Sequence, residues 1–104
     1  MAEKEGKEES LEERLTRQLD DVPWSGLREH AARDGIIILA QELDMVETGV
    51  ALAEDRFHWV NEQISAGKIS KPSKSQLADY EKNQEQLFRF LIVQPFVLIQ
   101  PLEN

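Results

Sequence analysis

Apolar side chains recur along the middle of the chain with helical spacing. Leu43, Val46, Val50, Ala53, Phe57, Val60 and Ile64 fall at alternating steps of three and four, the period of one face of an α-helix. Met45, Leu52 and Trp59 form a second stripe seven residues apart and widen that face. The spacing predicts one helix over 42–66, roughly 37 Å long at 1.5 Å per residue, as the spine of the protein. "VETGVALA" also alternates, so a strand over 46–53 is the competing reading, and Gly49 costs a helix interior about 1 kcal/mol.

On either side the pattern changes. Ser10 and Glu13 form a Ser-x-x-Glu capping box ahead of Leu11, Leu15 and Leu19, which predicts a helix over 11–20. Pro23 suits a first helical turn, Trp24, Leu27, Ala31 and Asp34 share a face, and Gly35 stands where a left-handed cap is wanted, so a second helix is expected over 23–34. "IIILA" is β-branched and apolar at consecutive positions, as in a strand covered on both faces, and is placed at 36–40. After Gly67 and the lysine-bearing loop "KISKPSKS", Ser73 and Gln76 open a helix that carries Leu77, Tyr80, Leu87 and Leu91, with Asn83 as a point where it could divide. "FLIVQPFVLIQP" closes the chain without a charge. It is too short for a membrane helix, which needs about 20 apolar residues. Pro95 turns the chain extended, and "FVLIQ" is expected as a second strand beside the first. The fold class is therefore α+β: a small helical domain around one long amphipathic helix, with a short two-stranded sheet. Residues 1–10 read as a disordered acidic tail and 11–104 as a single globular domain.

Composition narrows the chemistry. The 104 residues carry a formal charge of −8 and no cysteine. An acidic field repels nucleic acid and anionic lipid, so neither nucleic acid nor membrane is expected as a partner. The missing cysteines exclude thiolate nucleophiles, disulfides and sulfur-ligated metals and favour a cytoplasmic setting. Lys68, Lys71 and Lys74 cluster without interleaved aromatics, which is not a stacking surface for single strands.

Three polar groupings remain. His30, Arg33 and Asp34 stand three and four residues apart at the end of a predicted helix, where an imidazole oriented by Asp34 could serve as a base while Arg33 holds a carboxylate or phosphate. In the structural reading, which the pattern favours, His30 and Arg33 complement the negative helix end and Asp34 pairs with one of them. Glu54, Asp55, His58 and Glu62 resemble half of a carboxylate-bridged dinuclear site, but lie opposite the apolar seam and lack the other half, so no metal and no cofactor is expected. Asp44, Glu47, Glu54, Asp55 and Glu62 read as an acidic outer strip without a balancing cation. No nucleophile-elbow or phosphate-loop motif occurs, and no catalytic residue is assigned.

"WSGLREHAARDGIIIL", "ELDMVETGVALAEDRFHWVNEQISAGKISKPS" and "FRFLIVQPFVLIQ" resemble a family of small prokaryotic proteins, domain of unknown function 2288, over about residues 11–101. The resemblance implies a bacterial, cytoplasmic, single-domain protein and brings no activity, cofactor or site with it. The residues themselves predict a non-catalytic module that associates with itself or with another protein. A homodimer is expected, because two apolar strands in a two-stranded sheet leave edges to be paired. Met45, Leu52, Trp59, Phe96 and Val97 are its candidate interface. The alternative is a small-molecule-binding protein or enzyme built on His30, Arg33 and Asp34.

Overall fold

The structure, a computed structural model, describes residues 9–102; most of the expected tail lies outside the described residues. The elements in chain order are α1 (Leu11–Gln18), β1 (Asp20–Pro23), a 3₁₀ turn (Trp24–Gly26), α2 (Arg28–Ala32), β2 (Ile36–Leu39), α3 (Met45–Ala53), α4 (Phe57–Ser65), β3 (Ile69–Ser70), α5 (Lys74–Lys82), β4 (Leu87–Val93) and β5 (Phe96–Pro101). The strands form one five-stranded mixed sheet in the order β1-β4-β5-β2-β3. The class is α+β, but the expected two-stranded sheet and single long helix are both replaced.

The sheet is larger than expected because the closing segment is a hairpin rather than a helix followed by one strand. β4 and β5 pair antiparallel from Phe88↔Pro101 to Val93↔Phe96, around a Gln94–Pro95 turn with a cis peptide. "IIIL" does lie beside "FVLIQP", in parallel, with Ile36 opposite Val97 and Ile38 opposite Ile99. Leu87 and Leu91, which share helical spacing with Leu77 and Tyr80, belong to β4; α5 ends at Lys82, with Asn83 as its C-cap. Asp20–Pro23, expected to split between two helices, is an edge strand on β4. The edges are thus four-residue β1, with two aspartates and a terminal proline, and two-residue β3. Short, charged, proline-ended edges resist pairing with another chain, so the edge argument for a dimer loses its basis.

Alternation along the strands builds two cores. Ile37, Leu39, Leu91, Val93 and Leu98 join Leu15 of α1, Met45, Val46 and Ala51 of α3, and Val60 of α4 in one cluster. Ile36, Phe88, Val97 and Ile99 join Trp24 and Leu27 in the other, with Ala31, Leu77 and Tyr80 packed against it. In the second cluster Trp24, Tyr80 and Phe88 form an aromatic trio, with Tyr80 4.9 Å from each of the other rings and edge-on to Phe88. Trp24 Nε1 donates to Glu81 Oε2 at 2.8 Å, which fastens α5 to the 3₁₀ turn. Burial holds the Tyr80 phenol above its ordinary pKa, and the Asp79 carboxylate pushes the same way.

The spine breaks where the sequence reads "EDR". Asp55 adopts φ 57°, the Arg56 N–H donates to the Ala51 carbonyl at 2.9 Å and the Asp55 N–H to the Leu52 carbonyl at 3.3 Å. This six-to-one and five-to-two pairing is a Schellman stop. Two other helices end the same way, α2 at Asp34 (φ 61°) and α4 at Gly67 (φ 78°). Asp34, not the expected Gly35, holds the left-handed position. Aspartate tolerates that region better than most residues with a side chain, so two of the three stops carry no glycine at the decisive residue. The break changes which apolar residues are buried: Val46 and Val60 are, Ala53 and Ile64 are exposed, and Phe57 stands 67% exposed.

Candidate functional site

α2 is short and its C-terminus is pinned to the sheet. The Gly35 N–H donates to the His30 carbonyl at 3.0 Å, closing the helix, and the Val97 N–H donates to the Gly35 carbonyl at 2.8 Å, tying that closure to β5. This docking brings the last turn of α2 beside the β4–β5 turn. Between them lies a cleft of about 320 Å³, lined by His30, Arg33 and Gly35 on one side and by Ile92, Gln94, Pro95, Phe96 and Val97 on the other.

Of the expected trio, His30 and Arg33 come together at this cleft and Asp34 does not line it. The left-handed backbone at Asp34 sends its carboxylate to Lys71, whose Nζ donates at 2.8 Å. The arrangement holds no imidazole–carboxylate pair of the kind that would orient a general base. It does hold a histidine and a guanidinium facing an apolar wall.

The expected interface residues are divided. Met45 and Val97 are 4% and 2% exposed and lie inside the two cores of this chain. Leu52, Trp59 and Phe96 are half-buried and pack against the first core. The large apolar side chains left in solvent are elsewhere: Phe57 at 67%, Ile64 at 50%, Leu87 at 41% and Ile92 at 39%. Phe57 and Ile64 are one heptad apart on α4 and therefore neighbours along one side of it. They were missed because a continuous helix would have turned them inward; the run of three charged residues at 54–56 was the available signal.

The acidic strip is less bare than its sequence suggests. Arg56 Nη2 reaches Glu54 Oε1 at 2.6 Å, and His58 Nε2 stands 3.3 Å from Glu62 Oε2. Asp44 is spent capping α3, accepting from the Glu47 N–H at 2.9 Å. Among the described residues no three His, Cys, Asp or Glu side chains gather as a metal site would need, and no helix is long and apolar enough to cross a membrane.

Comparison with known proteins gives a class. The family model described as a protein of unknown function (DUF2288) matches residues 10–101, and the chain belongs to that family. Among solved structures it is similar to the NMR solution structure of PA1075 from Pseudomonas aeruginosa, with 26% sequence identity and a TM-score of 0.77 over 94% of this chain and 90% of that one. No curated protein matches it.

Proposed function

We propose that this chain is a non-catalytic interaction module, one globular unit over 11–104, that pairs with a second copy of itself through α4. The observation that carries the proposal is the side of α4 where Phe57 and Ile64 stand in solvent a heptad apart. Exposed aromatic and aliphatic side chains at that spacing are what a partner helix buries.

The few charges on α4 make it the face where a second copy can dock despite the net charge. Two chains of −8 repel one another, so a contact must fall where carboxylates are fewest. α4 (FHWVNEQIS) has a single carboxylate, Glu62, which already lies against His58. In an antiparallel two-fold pairing, Phe57 of one copy meets Ile64 of the other and His58 meets the Glu62 end, which is self-complementary as an isologous interface requires. Two such nine-residue helices make a contact at the small end of specific interfaces, below about 1,200 Å², so the dimer is a weak and exchanging one. Absence of cysteine supports a reducing, cytoplasmic setting for it.

Amide chemical shifts over a dilution series test the proposal. Those of Phe57, Asn61 and Ile64 should move together with concentration. Shifts that stay constant there, or that move on another face, would refute it.

A further inference from the structure

We infer that the cleft between the end of α2 and the β4–β5 turn binds a small amphipathic carboxylate, its charged end on Arg33 and His30 and its carbon chain on Ile92 and Pro95. Charge is the first argument. In a chain with 20 acidic residues, this cleft is lined by none, whereas four larger hollows among the described residues each contain at least one: Glu29 and Glu81, Glu42 and Asp44, Glu12 and Glu47, and Glu62.

The state of Arg33 is the second. Arg17, Arg28, Arg56 and Arg89 each reach a carboxylate of the chain, at 2.7, 3.1, 2.6 and 3.4 Å. Arg33 and Arg14 reach none among the described residues, and of the two it is Arg33 that lines this cleft. The nearest candidate in sequence, Asp34, is held by Lys71, so the guanidinium keeps its planar pair of donors for a ligand, a fork that a carboxylate matches with two parallel hydrogen bonds. The third argument is the opposite wall. Ile92 is 39% exposed, and about 320 Å³ is at the lower end of small-molecule pockets, which pair an apolar lining with a few placed polar groups. A bare inorganic anion would leave that wall wet, and an uncharged chain would leave Arg33 unanswered.

The test is a titration of the full chain, followed by amide chemical shifts, with hexanoate as the probe and hexanol and inorganic phosphate as controls. Hexanoate should give saturable shifts at residues 30–35 and at Gln94, Phe96 and Val97. Hexanol and phosphate should each bind at least about tenfold more weakly, since each lacks one half of the recognition. Arg33→Gln, an exposed position, should weaken hexanoate about tenfold with the rest of the spectrum unchanged, and Ile92→Ser should weaken hexanoate but not phosphate. The inference is overturned if hexanoate shifts do not saturate, if they map to another face, if Arg33→Gln binds hexanoate as the wild type does, or if hexanol binds equally well.

Discussion

Gly49 of α3 sits so close to Leu91 of β4 that a β-carbon on it would stand 3.0 Å from Leu91 Cδ2, and 3.1 Å from Leu15 Cδ1. The helix-weakening glycine is there because α3 lies directly on the sheet. Gly49→Val should therefore destabilise the fold by about 1–3 kcal/mol through overpacking, read as a lower midpoint in urea with an unchanged slope. An unchanged midpoint would mean that α3 is not seated in this way.

The break between α3 and α4 makes a prediction of opposite sign for its own residue. In a continuous helix a glycine at position 55 would lower stability by several tenths of a kcal/mol relative to aspartate. At φ 57° it should raise stability by about 0.5–1 kcal/mol, since glycine occupies the left-handed region freely and a carboxylate at a helix C-terminus is removed as well. Thermal melts of Asp55→Gly decide between the two, and a lower melting temperature would restore the unbroken helix.

What could be read from the sequence was what is settled locally. The capping boxes at Ser10–Glu13 and Ser73–Gln76 form as read, because each is made within four residues, and the β-branched run 36–39 is a strand. β4 was hidden because Leu87 and Leu91 fit helical spacing as well as a strand, and only pairing with β5 decides between them. The break at 54–56 was hidden because the apolar spacing continues across it, and because the stop is made by an aspartate. At the cleft, His30 and Arg33, three residues apart in sequence, line the same wall, and Asp34 does not. The departure of Asp34 follows from its backbone angle, which sequence spacing does not encode.

The same break reassigns two neighbours. At dilutions where the chain is monomeric, Phe57→Ala should change stability by no more than about 0.5 kcal/mol, as for other surface positions. Val60→Ala, at a position 8% exposed, should cost about 2 kcal/mol. Urea melts of the pair check the helical phase, and a larger loss for Phe57→Ala would contradict it.

Tyr80 should make the fold sensitive to alkali. Its phenol is neutral in both states below the unfolded value of about 10, and its folded pKa is raised, mainly by burial. As pH rises from the unfolded value through the folded one, the unfolded state loses its proton first and stability falls. Melting temperatures between neutral pH and strong alkali should show this loss, and Tyr80→Phe should remove part of it. A variant with the same alkaline decline as the wild type would place the sensitivity elsewhere.

Self-association through α4 is tested most directly by sedimentation equilibrium from about 10 μM to about 1 mM, the range in which a contact of this size should form. The wild type should rise from the 12.0 kDa chain mass toward twice that value, while Phe57→Glu and Ile64→Glu, both at exposed positions, should stay folded and monomeric throughout. A wild-type mass that remains at 12.0 kDa across the range, or variants that associate as the wild type does, would contradict the account.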